Sequence, residues 1–154
     1  VAMGVPLLSA HLFVFYFGVI ADVTPPVALA AFAASGIAQS DPFRTGIEGF
    51  RFGMAKYVVP FLFLSNPALL LQGSAAEIAL SLAAAILGIT ALGGVLQRYF
   101  FGPLRTWQIP SLLVAALAMF TMQPRFWLLG LPLIALVSVS QWRMAQARQT
   151  VVAG

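Results

Sequence analysis

The run Ala21-Asp22-Val23-Thr24-Pro25-Pro26 sets an acid, a hydroxyl and two adjacent prolines inside otherwise apolar sequence. Proline has no N–H. In a continuous helix Pro25 would therefore free the carbonyl of Ala21, and Pro26 that of Asp22. Thr24 suits an N-cap and Pro25 the first position of the helix that follows. The run both stops one helix and starts another, which predicts a pair of facing helix ends. The C-terminal end carries partial negative charge and bare carbonyls suited to Na⁺, and the N-terminal end carries partial positive charge suited to an anion. The competing reading is a proline-capped turn at a membrane surface with Asp22 solvated.

Other chemistry is harder to assemble. With no Cys and a single His, a zinc site lacks its three or four ligands. His11 lies about three turns before Asp22, too far for the side chains to meet on one straight helix; it reads as a packing or interface residue more readily than as a proton relay. An intramembrane hydrolase would need Ser paired with His, or two acids. Asp22 has no acidic mate in the apolar sequence, and Ser35-Gly36 lacks the preceding Gly of a nucleophile elbow. Glu77 falls between two apolar runs, where solvation accounts for it. Gly49 and Gly53 form a GxxxG, but Phe50, Arg51 and Phe52 between them make it a poor dimer motif.

The elements that hold these residues follow from the charge distribution. Only 8% of the 154 residues are charged and 61% are hydrophobic. A soluble domain carries about 25% charge. The chain is therefore predicted to be an all-α integral membrane protein. Disorder and a disulfide scaffold are excluded by the same numbers. The net charge of +4 comes from scattered single residues with no basic patch, so no nucleic-acid partner is expected. Charge-free intervals at 1–21, 23–40, 57–76, 78–97, 106–124 and 126–142 have lengths of 21, 18, 20, 20, 19 and 17. A spanning helix needs about 17 to 25 residues.

The first two intervals are separated by Asp22 alone, so Pro6–Ala21 and Pro25–Ala38 are expected as two halves of one discontinuous helix. Four further transmembrane helices are expected near 57–72, 78–97, 108–123 and 126–141. Alternating crossings then place Arg44, Arg51, Lys56, Arg98, Arg105, Arg143 and Arg148 on one side and Arg125 on the other. That asymmetry predicts a cytoplasmic C-terminus by the positive-inside rule. Tyr57, Tyr99, Trp107, Trp127 and Trp142 fall at the predicted interfaces. Pro60 and Ser65-Asn66-Pro67 predict a bent or re-entrant span, with the backbone near Asn66 facing protein or a cavity. Residues 41–56, with Arg44, Glu48, Arg51 and Lys56 among Phe43, Phe50, Phe52 and Met54, read as an interfacial amphipathic helix. Residues 26–38 hold eight small residues (Ala28, Ala30, Ala31, Ala33, Ala34, Ser35, Gly36 and Ala38), which predicts burial against other helices.

The stretch from His11 through Gly18, Asp22-Val-Thr-Pro-Pro26 and Ser35-Gly36 resembles the C-terminal half of the large permease subunit of tripartite ATP-independent periplasmic (TRAP) transporters, above all the type in which small and large subunits are fused. Asp41-Pro-Phe-Arg-Thr-Gly46, Phe50-Arg51-Phe-Gly53 and Val59 through Leu71 fit the same pattern, so the resemblance covers about residues 5–73. It implies a Na⁺-driven, elevator-like uptake of organic anions delivered by a periplasmic substrate-binding protein across a bacterial inner membrane. It also implies that Thr24, Pro25 and Pro26 form the second-repeat break and contact substrate. Ala21, Asp22, Val23 and Thr24 would supply Na⁺ ligands; no other cofactor is implied. The Gly usual after Thr-Pro-Pro-Val is Ala28 here, which would narrow the approach to the site.

The chain opens at Val1 already inside hydrophobic sequence, so a fragment of a longer permease is expected, with the first repeat supplied by the remainder of that chain. Residues 1–73 would then be permease and 74–154 C-terminal transmembrane helices with a short cytoplasmic tail. The alternative is a non-transporting membrane anchor or assembly module of a larger complex.

Overall fold

The computed structural model describes residues 6–152; Val1 and Gly154, the latter expected in the cytoplasm, lie outside them. The described residues form helices without a β-strand, in the order α1 (Leu7–Ile20), α2 (Leu29–Ala38), α3 (Pro42–Phe52), α4 (Val59–Ser65), α5 (Ala75–Gln97), α6 (Gln108–Phe120) and α7 (Pro124–Val152). The chain packs as two units, Val1–Ile78 and Ala79–Gly154.

In the first unit, α1 is apolar around its whole circumference and lies against α4 through aromatic edges. Phe13 meets Phe61 at 5.3 Å and Tyr16 meets Phe63 at 6.3 Å between ring centroids. Helix α3 starts where its sequence dictates: the Asp41 carboxylate accepts the Arg44 N–H at 2.7 Å, and Pro42 occupies the first turn. It has three faces. Gly46 is buried against α2, Phe43 and Ile47 are exposed, and Arg44, Glu48 and Arg51 form a charged edge with an Arg51–Glu48 bridge of 3.0 Å. The amphipathic pattern expected over 41–56 thus holds as α-helix only to Phe52, and Met54–Val58 continues as a 3-10 turn. The glycine that packs is Gly46; a Cβ at Gly49 would meet nothing within 4 Å, and Gly53 caps the helix.

Helix α2 buries one face only, through Ala28, Ala31 and Ser35, and leaves Ala30, Phe32, Ala33 and Ile37 exposed. The burial expected of its small residues is confined to that face. The expected span at 57–72 is broken as Asn66-Pro67 dictates. Helix α4 ends at Ser65, Asn66 turns extended, and its amide oxygen accepts the Ala68 N–H at 3.0 Å before a 3-10 turn over Pro67–Leu70. Ser74 and Glu77 then form a reciprocal capping box at the start of α5. The Glu77 carboxylate accepts the Ser74 N–H at 2.9 Å, and the Glu77 N–H reaches the Ser74 hydroxyl at 3.3 Å. Glu77 is a helix cap as well as a solvated acid, and the spacing Ser-x-x-Glu was its signal.

The second unit is built on α6 and α7 with the body of α5. Its centre is Ala91, Leu112, Ala116 and Val137, surrounded by Leu92, Val95, Phe100, Leu104, Phe120 and Ile134. Small residues permit the approach: a Cβ at Gly88 would stand 2.6 Å from the Phe120 ring, and one at Gly130 would stand 3.2 Å from the Ala115 carbonyl oxygen.

Among the described residues two helices are long and apolar enough to cross a membrane: Ala75–Gln97, of 23 residues and mean hydropathy 2.2, and Pro124–Met144, of 21 residues and mean hydropathy 1.3. Helix α6 has 13 residues, about 20 Å of helix against a hydrocarbon core of about 30 Å. The spans expected at 57–72 and 108–123 therefore do not form full-length helices. The cause is local. Proline and asparagine interrupt the first, and residues 103–107 form a loop ahead of α6, where the Arg105 N–H donates to the Gln108 side-chain oxygen. At the other end the expected short tail is helical, since α7 continues to Val152.

Candidate functional site

Between α1 and α2 the chain changes course over residues 21–28. Helix α1 tightens into a 3-10 turn, Ala21–Val23, and Thr24 is extended at φ −112°, ψ 120°. The residue before a proline is driven out of the helical region. Thr24 precedes Pro25, and Pro25 itself precedes Pro26, so neither position favours helix. This corrects the expected cap. Helix α2 begins at Leu29 after Ala28, and no side chain caps it. Ala28 sits in the left-handed region at φ 39° and is fully buried. An L-residue there costs about 1 to 2 kcal/mol, whereas glycine adopts it freely.

The two carbonyls expected to be bare differ. That of Ala21 accepts the Thr24 N–H at 3.0 Å, closing the 3-10 turn, while the Asp22 carbonyl faces two prolines and has no backbone donor within the turn. Thr24 donates its hydroxyl proton to the Ile20 carbonyl at 2.6 Å. Its oxygen also meets the phenol oxygen of Tyr57, 33 residues away in sequence. Asp22 is exposed, Val23 and Pro25 are half-buried, and Pro26 is exposed. The turn thus gathers Ala21, Asp22, Val23 and Thr24 at one helix end and sets Pro25 and Pro26 beside them. His11 is exposed on α1, two helical turns and more from this place.

Tyr57 was legible only as an interface aromatic. Nothing in its spacing ties it to Thr24, since the contact arises from α1 and α4 packing side by side. Its ring lies 6.5 Å from Phe17 and 5.5 Å from Phe50, and the Lys56 ammonium stands 5.6 Å from its centroid. The Tyr16 hydroxyl holds the adjoining backbone by donating to the Lys56 carbonyl at 3.2 Å. Partial burial pushes the Lys56 ammonium below the ordinary lysine range.

Among the described residues no group of three His, Cys, Asp or Glu side chains could hold a metal ion. Any cation at the turn would depend on carbonyl and hydroxyl oxygens, the hard donors that suit an alkali or alkaline-earth ion. A cavity of about 430 Å³ in the second unit is lined by Tyr99, Phe101, Leu104, Arg105, Gln141 and Met144, and one of about 560 Å³ in the first by Ser40, Asp41, Arg44, Thr45, Glu48 and Gly49. Neither is lined by residues of the turn.

No curated protein and no solved structure shows a significant match to the chain. The profile of the tripartite ATP-independent periplasmic transporter, DctM component, matches residues 1–78, a range that coincides with the first packed unit and contains the whole turn. With just over half of its 154 residues matched, the chain belongs to the family of the DctM component, the large permease component of TRAP transporters, which is a transporter family and not an enzyme family.

Proposed function

We propose that the chain is the C-terminal part of a Na⁺-coupled secondary transporter permease that takes up organic carboxylates. Helices α1 and α2 form one discontinuous crossing, and the turn between them is the second-repeat half of the ion and substrate site. Family membership implies association with a substrate-binding protein and further subunits. In this reading the binding protein delivers the anion from the periplasm, and the remainder of the permease chain, including the first repeat, completes the site in the bacterial inner membrane. Helix α3 lies at the bilayer interface with its charged edge toward water, and the C-terminus is cytoplasmic. Residues 1–73 serve the permease, and 74–154 add C-terminal transmembrane helices.

The observation that carries the reading is the turn itself. An α-helix ends in a 3-10 turn whose Asp22 carbonyl is followed at the helical donor positions by two prolines without N–H, and the Thr24 hydroxyl lies in the same turn, bonded to the Ile20 carbonyl. Such a helix end carries partial negative charge where a Na⁺ ion is favoured. Thr24→Val in the full-length permease, reconstituted with its binding protein, removes one oxygen at nearly constant shape. The Na⁺ half-saturation of uptake should rise about 5- to 150-fold, the equivalent of one buried polar contact. An unchanged half-saturation at normal expression would leave the turn as architecture. The alternative of an anchoring module draws on one fact, that residues 79–154 pack around a core of their own outside the family match. Wild-type uptake after deletion of 79–154 would favour that role for the second unit.

A further inference from the structure

We propose that the cavity beside the 98–105 loop seats the phosphate of an anionic phospholipid, with Arg105 as the side chain that binds it. The cavity lies in the second unit, outside the residues that the family profile matches, and has a volume of about 430 Å³. Small-molecule sites run from about 300 to 1,000 Å³. Arg105 and Tyr99 bring a guanidinium and a phenol to its wall, while Phe101, Leu104 and Met144 make much of the remainder apolar. A planar guanidinium takes phosphate oxygens two at a time. The apolar wall then suits the start of the acyl chains, whereas a free anion gains nothing from it.

Charge and position point to the same ligand. The second unit carries five arginines and no acid, the last acid of the chain being Glu77. Arg105 is exposed and has no carboxylate in its own unit with which to pair. The cavity also stands where two spans end: Tyr99 follows closely on Gln97, the last residue of α5, and Met144 is the last residue of the span in α7. Tyr99 and Trp142 are exposed there, and such amphipathic rings prefer head-group depth. Basic pockets between membrane helices at that depth hold anionic head groups.

The wall is built before any ligand arrives. Helix α5 closes in a Schellman turn, with the Tyr99 N–H on the Gly94 carbonyl at 3.0 Å and the Arg98 N–H on the Val95 carbonyl at 3.1 Å. The Leu104 N–H returns to the Arg98 carbonyl at 3.0 Å, and Tyr99 and Pro103 pair as an antiparallel bridge. Gln141, buried on α7, donates to the Pro103 carbonyl at 3.3 Å and packs on Gly102, where a Cβ would stand 2.8 Å from its amide oxygen. The Arg105 backbone is fixed in turn by its N–H bond to Gln108. A site already ordered loses less entropy on binding.

The test is lipid retention by the full-length permease in detergent, titrated with phosphatidylglycerol or phosphatidylcholine and read by native mass spectrometry. The parent should prefer phosphatidylglycerol. Arg105→Gln should weaken that lipid about 5-fold or more, the worth of one basic residue at an anionic surface, and leave phosphatidylcholine unchanged. Tyr99→Phe should weaken it by a smaller factor. Arg143 is exposed on α7 but does not line the cavity, so a loss in Arg143→Gln as large as in Arg105→Gln would mean diffuse attraction and overturn the site. Inorganic phosphate that displaces the lipid at equal concentration would make this a free-anion site and overturn the lipid. If Arg105→Gln fails to insert, Met144→Trp narrows the cavity with every charge in place and should lower the preference for phosphatidylglycerol; an unchanged preference in either variant overturns the proposal.

Discussion

A Cβ placed on Gly46 would stand 3.6 Å from the Cβ of Ala28, an ordinary van der Waals distance, so α2 and α3 meet at a glycine facing a buried alanine that is itself left-handed at φ 39°. Two demands coincide at Ala28: small volume and tolerance of positive φ. Ala28→Gly should change stability by less than about 1 kcal/mol, because relief of the left-handed strain offsets the lost methyl and the greater freedom of the unfolded chain. Ala28→Val should destabilise by about 2 kcal/mol or more, since a β-branched side chain suits neither the conformation nor the space. Thermal unfolding of the purified permease in detergent checks both, and a Val variant as stable as the parent would contradict the geometry.

The second unit offers a parallel case. Gly130 of α7 faces α6 so closely that a Cβ would lie 2.5 Å from the Met119 methyl and 3.2 Å from the Ala115 carbonyl oxygen. The methionine end can move, but the backbone oxygen cannot. Gly130→Ala should cost about 1 to 3 kcal/mol by overpacking, and Gly130→Leu should separate the two helices. Cysteine crosslinking between α6 and α7 that proceeds normally in Gly130→Leu would refute this contact.

The all-helical membrane class was legible because charge is so scarce, and the stop at Asp22–Pro26 because two adjacent prolines leave little choice. Where α2 begins was misjudged. Thr24 and Pro25 each have the chemistry of a helix start, but the pre-proline restriction acts on both and moves the start to Leu29. The intervals 57–72 and 108–123 hold shorter helices than their length suggests for a different reason: a charge-free interval sets how much chain avoids charge, not how much of it is helical. Gln108 opens an otherwise apolar run, and its partner, the Arg105 N–H, meets it only once the loop ahead of α6 has folded. Tyr57 could not have been found from spacing, since its meeting with Thr24 depends on tertiary packing.

Basic residues supply the topology prediction. Seven of the eight fall on one side if the crossings alternate, so a reporter fused after Gly154 should be active as a cytoplasmic fusion and silent as a periplasmic one. Periplasmic activity alone would invert the assignment and with it the placement of the 39–56 segment.

The final prediction concerns a buried amide network in the second unit. Gln108 is fully buried and Gln141 nearly so. The Gln108 amide oxygen accepts from the Arg105 N–H and from Gln141 Nε2, both at 2.8 Å, while Gln108 Nε2 donates to the Ser140 hydroxyl at 2.7 Å. Gln141 Nε2 also reaches the Pro103 carbonyl at 3.3 Å. The two glutamines are unequal. Gln141→Leu leaves the Gln108 oxygen with its Arg105 partner, whereas Gln108→Leu strands the Arg105 N–H and half of the Gln141 amide. Each stranded group costs about 1 to 3 kcal/mol, so Gln108→Leu should be the more damaging by at least about 1 kcal/mol. The double variant should cost less than the sum of the two, because the second change removes a donor that the first had already orphaned; coupling of about 0.5 to 3 kcal/mol is expected for residues in contact. Unfolding midpoints of the three variants in one detergent decide it. Strict additivity would mean that the two amides do not share the network.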